Sequence, residues 1–220
     1  MTPIKLIAFD LDGVLVDGKG SWMEVHRALG THKRAEQHAQ SFFDGKITFE
    51  DWARLDTQLW MGVPIARIQE ILDGVPLMAG AAPTFDELKT SGYKTAIISG
   101  GLKMLADRIR ETFSLDYAYG NDFIVRNGKV AGIRGDIDFY GKGRVLESVA
   151  RKENISTREC ACVGDHVNDI PMFRLAGYSI AFNPKSDELE KYADCVIWAK
   201  NLTEILPYLK QQACTLTQRT

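Results

Sequence analysis

An apolar run of strand length that ends in a carboxylate constrains this chain more than any other stretch. Residues 4–9, Ile4-Lys5-Leu6-Ile7-Ala8-Phe9, are nearly continuously apolar and rich in β-branched and aromatic side chains. That is the pattern of a central strand buried on both faces. Asp10 follows at once, Asp12 comes two residues later, and Gly13 directly after it. Two carboxylates therefore stand at the carboxyl end of a buried strand, the edge where open α/β sheets bind ligands. Two acids held close repel, so they call for a cation or a shifted pKa. Taken alone, the segment also has the lesser reading of a polar loop after a strand.

From Gly80 onward, strand and helix patterns alternate. Strands are predicted over 93–98, 117–119, 160–163, 178–182 and 195–198. Helices are predicted over 84–91, 102–113, 143–153, 170–176, 187–192 and 202–211, and the tail after Ala213 is expected to fray. Asn127-Gly128 sits among short strands within 121–139 and predicts a small β-hairpin. This alternation predicts an α/β fold with a doubly wound, mostly parallel sheet. Between residues 18 and 79 the pattern is helical throughout. Ser21 with Glu24 has capping-box spacing, and Thr48 can cap a third helix whose first turn carries Glu50 and Asp51. Pro64 starts a fourth helix that Asp73-Gly74 ends. The expected organisation is a catalytic core of residues 1–17 and 80–220 with an inserted helical-bundle cap at 18–79. The cap has enough apolar residues for its own core and emerges at the active edge, where a lid belongs.

Composition narrows the class of partner. The 220 residues are 45% hydrophobic and 25% charged with a net charge of −2, which gives no reason to expect nucleic acid or an anionic membrane. No apolar run approaches the roughly 20 residues of a membrane span, and no signal-peptide pattern opens the sequence. Cys160, Cys162, Cys195 and Cys214 show no CxxC spacing, so buried free thiols of a cytoplasmic protein are expected. The four histidines are scattered and suggest no metal cluster.

Three strands end in polar groups at one edge: Asp10 and Asp12, then Ser99, then Asp165 and Asp169, with Lys142 before a helix in the same half. At about 5 Å and an effective dielectric of about 20, each carboxylate pair repels by roughly 3 kcal/mol. A hard divalent cation resolves this, and oxygen-only ligands favour Mg²⁺, which characteristically also takes substrate phosphate oxygens. Ser99 with the backbone N–H groups of Gly100-Gly101, at an expected strand-to-helix turn, can hold a phosphate. Lys142 between Gly141 and Gly143 can add a point charge. A carboxylate can accept a phosphoryl group once metal and lysine neutralise the incoming anion.

Asp10-Leu11-Asp12-Gly13-Val14, Ser99-Gly100-Gly101, Gly141-Lys142-Gly143 and Gly164-Asp165-His166-Val167-Asn168-Asp169 together resemble the four motifs of the haloacid dehalogenase superfamily. The match spans the whole chain and is most similar to the phosphoserine phosphatase branch. The resemblance implies a Rossmann-like core and an Mg²⁺-dependent phosphomonoester hydrolase acting on a small phosphorylated metabolite. It implies Asp10 as nucleophile forming an aspartyl-phosphate and Asp12 as general acid, then base. It implies metal ligation by the Asp10 carboxylate, the Asp12 backbone carbonyl and Asp165, with Asp169 in support. Ser99, Gly100, Lys142 and Asn168 would hold the phosphate oxygens. Assembly as a monomer or homodimer is expected.

The sequence departs from that branch in the cap. Lys19 stands where the branch usually has a glutamate for the substrate ammonium, and Asp56 where it has an arginine for the substrate carboxylate. Both charges are reversed, which would repel phosphoserine. Arg54 rescues the carboxylate contact if the register shifts by two. Open alternatives are a phosphoserine phosphatase with a rearranged cap, a phosphomutase, and a non-catalytic module that binds a phosphorylated ligand.

Overall fold

The first strand sits at the centre of everything else. In the structure, a computed structural model that describes residues 3–214, β1 (Leu6–Phe9) is buried at every position and lies between two parallel neighbours. The chain then forms four helices, α1 (Ser21–Ala28), α2 (His32–Phe43), α3 (Phe49–Gln58) and α4 (Ile65–Asp73). It continues through α5 (Ala81–Thr90), β2 (Lys94–Leu102), α6 (Lys103–Phe113) and the hairpin β3 (Tyr117–Arg126) and β4 (Lys129–Arg134). The last part is α7 (Lys142–Lys152), β5 (Cys160–Gly164), α8 (Ile170–Phe173), β6 (Tyr178–Phe182), α9 (Asp187–Glu190), β7 (Cys195–Ile197) and α10 (Leu206–Cys214). Residues 215–220, most of the tail expected to fray, lie outside the described residues.

The sheet order is β4-β3-β2-β1-β5-β6-β7, parallel except for the β3–β4 hairpin. The fold is the expected doubly wound α/β sheet. The chain leaves β1 for β2 on one side and returns to β5 on the other, so the strand order reverses at β1 and opens a crevice at its carboxyl end. The Asn127-Gly128 turn has φ of 51° and 71°, the left-handed pair that a two-residue hairpin requires.

Three local expectations change. Ser21 does not cap α1. It is the first helical residue, Gly20 precedes it, and its backbone N–H and hydroxyl both donate to Asp12, at 2.8 and 2.9 Å. The helix start is thus satisfied by a carboxylate from the loop after β1, while Glu24 accepts from the Lys19 N–H. The Ser99-Gly100-Gly101 segment is not a turn, because β2 stays extended to Leu102. Third, the helical segment shares its core with the sheet. Val25, Trp60, Ile68 and Leu72 form one continuous apolar cluster with Phe9, Leu11 and Ile97. Burying these side chains jointly removes more apolar surface from water than a four-helix unit of this size does alone.

Backbone pairing also ties the helical segment down. Gly62 and Ile65 N–H groups donate to Val130 and Gly128 carbonyls, and the Val130 N–H donates back to Val63. That covers the outer edge of β4, which would otherwise present unpaired groups. By contrast, Thr48 caps α3 in the expected box with Asp51.

Cys160 and Cys162 are free and buried in β5. Burial pushes the Cys160 thiol up to about 12 and the Cys162 thiol well above its ordinary range. Brief alkylation of the native protein at pH 8, mapped by mass spectrometry, is expected to leave both unmodified and to label both after unfolding. Rapid labelling of either in the native state would contradict this burial.

Candidate active site

The site is built where four chain segments reach the carboxyl edge of the central strands. Asp10 continues β1, its N–H still bonded to the Val163 carbonyl at 2.9 Å. The chain then turns tightly, with Leu15 and Val16 N–H groups both donating to the Leu11 carbonyl. Gly13 sits in this turn at φ +88°, and a Cβ there would lie 1.9 Å from Asp165 Oδ2. Both its backbone conformation and the close approach of the β5 loop exclude a side chain. Gly101 is confined by close approach alone: a Cβ would come 2.6 Å from Asp12 Oδ2.

Asp10, Asp165 and Asp169 are all buried, and each offers an oxygen within 4.8 Å of the others. The Lys142 ammonium, with no exposure, stands 2.8 Å from Asp10 Oδ1 and 2.5 Å from Asp169 Oδ1. Lys142 is the first residue of α7, where the helix dipole disfavours a cation, so these two carboxylates hold it there. Burial opposes its charge, but Asp10 and Asp169 keep the ammonium above its ordinary pKa. Asp10 Oδ1 also accepts from the Leu11 N–H at 2.7 Å, and its other oxygen carries no hydrogen bond among the described residues. Asp169 is fully committed: besides Lys142, its Oδ2 accepts from the Asp165 and His166 N–H groups.

Lys185 belongs to none of the sequence motifs. It follows Asn183-Pro184 just beyond β6, at the same sheet edge, and its ammonium lies 2.6 Å from Asp165 Oδ2. The position one loop after a central strand was the available signal.

Four carboxylates thus face two ammonium groups, and the site shows the imbalance. Burial, followed by the neighbouring Asp10 charge, raises Asp12 to about 6 and drives Asp165 up. Burial raises Asp169 as well, against the pull of Lys142. One divalent cation would remove the imbalance, and the donor set of hard oxygens with no imidazole or thiolate fits Mg²⁺.

A cavity of about 290 Å³ opens from these carboxylates into the helical segment. Asp10, Asp12, Ser99, Gly100, Asp165 and Asn168 line its floor. Ser99 is buried, its hydroxyl accepting from the Gly101 N–H at 3.0 Å, and the Gly100 carbonyl is bonded by Trp22 and Asn121. The Asn168 amide oxygen is buried without a partner. Lys142 and Asp169 do not line the cavity; they lie beneath Asp10.

The three cap positions separate. Lys19 is exposed and borders the cavity. Arg54 is on the outer side of α3, bonded to Asp51 at 2.9 Å, away from this cavity. Asp56 lines the cavity but is buried between two histidines from separate helices. His38 Nδ1 is 2.6 Å from its Oδ1 and His26 Nε2 is 3.3 Å from its Oδ2. These three residues come from α2, α1 and α3, so no spacing rule links them.

Comparison with known proteins gives a consistent result. A family model described as haloacid dehalogenase-like hydrolase matches residues 4–177. Phosphoserine phosphatase of Methanocaldococcus jannaschii is 36% identical over 208 residues, covering 94% of this chain and 98% of that protein. A solved substrate-bound phosphoserine phosphatase complex superposes with a TM-score of 0.83 at 34% identity, covering 94% and 99% of the two chains. A phospho-aspartyl intermediate analogue of phosphoserine phosphatase superposes with the same TM-score at 35% identity, covering 94% of this chain and 99% of that one.

Proposed function

This chain belongs to the haloacid dehalogenase-like hydrolases and is a phosphatase, and from that premise we propose how its residues divide the work. Asp10 attacks the phosphorus of a small phosphomonoester in line, and the bond from phosphorus to the leaving oxygen breaks. Asp12 gives that oxygen its proton. The aspartyl-phosphate formed on Asp10 is then opened by a water molecule, whose proton Asp12 takes, releasing inorganic phosphate and restoring the Asp10 carboxylate and the Asp12 acid. Asp12 is held for this role by the two Ser21 hydrogen bonds at the start of α1. Ser99, Gly100 and Asn168 face the phosphoryl oxygens, and Lys142 supports them from beneath through Asp10. Residues 1–17 and 80–220 act as the catalytic core and 18–79 as the cap.

Mg²⁺ would be held by the Asp10 carboxylate, the Asp12 backbone carbonyl and Asp165, with Asp169 positioning the loop, and would supply charge neutralisation for the transferring group. The observation that carries this reading is the meeting of Asp10, Asp165 and Asp169 oxygens within 4.8 Å beside a buried lysine. Free buried thiols support a cytoplasmic setting; a monomer or homodimer satisfies every role assigned here. No helix of the described residues is long and apolar enough to cross a membrane.

The test is metal removal. Chelation is expected to abolish p-nitrophenyl phosphate hydrolysis and Mg²⁺ to restore it. Magnesium at about 100 times its Kd should stabilise the fold by about 2.7 kcal/mol. Asp165→Asn should lose most of that gain in melting temperature. Full activity in chelator, or no thermal response to magnesium, defeats the metal assignment. A second reading, phosphoserine as the substrate, is favoured by the relatives that carry that name.

A further inference from the structure

The cap wall of the cavity has a chemistry unlike that of its floor. Trp22, Met23, Phe43, Phe49, Trp52 and Phe139 form it. Four of these rings are in contact: Phe49 with Trp52 at 5.9 Å, Phe43 with Phe139 at 5.9 Å, and Phe49 with Phe139 at 6.4 Å between centroids. Phe139, on the loop before α7, also meets the His166 ring at 5.9 Å, so the aromatic wall is continuous with the catalytic floor.

The charged groups of this wall do not suit a zwitterionic leaving group. Among the described residues no arginine lines the cavity, and Arg54 is paired outside it. Asp56 is 3% exposed and already serves as a brace across three helices. The Trp60 indole N–H, a donor only, points at His26 Nδ1 at 3.1 Å, which leaves the His26 proton on Nε2, facing Asp56. Asp56 Oδ1 takes its hydrogen bond from His38 Nδ1 at 2.6 Å, while His26 Nε2 stands 3.3 Å from Oδ2 without one. A leaving-group carboxylate would enter beside this anion, with exposed Lys19 the only cap ammonium at the cavity among the described residues. An uncompensated charge in so apolar a wall is disfavoured. The Trp52 indole N–H is buried and unpartnered, as His26 Nε2 is, and suits an acceptor oxygen.

Building on the phosphatase reading above, we propose that this pocket selects phosphate monoesters of uncharged alcohols that carry an aromatic or similarly flat apolar group, rather than phosphoserine. The phosphoryl group sits on the Asp10 floor and the apolar group stacks in the aromatic wall.

The test compares 2-phenylethyl phosphate, phosphoserine and phosphoethanolamine on the magnesium-loaded full chain. All three are primary alkyl esters, so intrinsic leaving-group reactivity differs little and the ratio of kcat/KM reports the pocket. The expected result is a preference for 2-phenylethyl phosphate over phosphoserine of about 100-fold, the scale of burying one aromatic ring. Phe43→Ala should shrink that preference about tenfold, chiefly through KM; the Phe43 side chain is 59% exposed, so the fold is not at risk. Equal or better turnover of phosphoserine overturns the proposal. A preference for phosphoethanolamine overturns it too, by assigning the aromatic wall and Asp56 to a cation. Calorimetric binding of 2-phenylethyl phosphate and phosphoserine to magnesium-loaded Asp10→Asn protein reads the pocket independently of turnover. Preferential binding of the aromatic ester with no hydrolysis of any ester by the wild-type protein defeats the phosphatase mechanism but supports the pocket assignment. Absence of that binding preference defeats the pocket assignment alone.

Discussion

Asp10→Asn is expected to lower turnover of every phosphomonoester by about 10⁴-fold or more, the scale seen when a covalent nucleophile is removed. The amide keeps the shape of the side chain but cannot accept a phosphoryl group at a useful rate. Its effect on the fold should be small, because two consequences oppose each other. The Lys142 ammonium loses a partner at 2.8 Å but keeps Asp169 at 2.5 Å. At the same time one of four crowded carboxylates is gone, relieving the repulsion that raises Asp12 and Asp165. The variant should therefore melt close to the wild type while being inactive. A second readout separates the nucleophile from a structural role. Acid quenching of wild-type protein during turnover should leave one phosphoryl group, labile to hydroxylamine, on the peptide containing Asp10, and none in the variant. Activity within tenfold of wild type, or a phosphoryl group on another residue, would sink the assignment.

The acidic floor of the cavity is legible in the sequence because each of its parts obeys a local rule. A buried strand must end somewhere, and Asp10, Ser99 and Asp165 each follow directly on an apolar run, so strand pairing alone brings them to one edge. The α3 cap was legible for the same reason, since Thr48 and Asp51 satisfy each other within one turn. What stayed hidden depends on contacts across long separations. Ser21 has the composition of a helix cap, but the Asp12 carboxylate reaches α1 first and takes both of its donors. Asp56 looked like a charge facing the substrate, because nothing in the spacing of His26, His38 and Asp56 indicates that three helices bring them together. A reversed charge in an alignment is therefore weak evidence about a ligand until its own partners are known. The apolar residues of the cap have the pattern of a core, and most of its aromatic rings do pack; a second role shows only where Phe139 joins them to His166.

Lys142→Met is expected to harm both activity and stability, and for one reason. Methionine fills nearly the same volume, so packing around α7 changes little. The ammonium, however, is the buried counter-charge to Asp10 and Asp169, both of which are themselves buried. Removing one partner of a buried ion pair typically costs about 3–5 kcal/mol, because the remaining charge is stranded away from water. For a chain of this size that corresponds to a fall of roughly 10 °C in melting temperature without metal. Magnesium should recover part of the loss, since it brings positive charge to the same carboxylates. Turnover should fall by about 10²–10³-fold, as for other preorganised charges that stabilise a transferring group. An exposed lysine that merely attracted substrate would behave differently, raising KM in a salt-dependent way with little change in melting temperature. Calorimetry with and without magnesium, alongside kcat and KM at two ionic strengths, distinguishes the cases. A variant that melts within about 2 °C of wild type, less than 1 kcal/mol on the same scale, would show that Asp10 and Asp169 do not depend on this lysine.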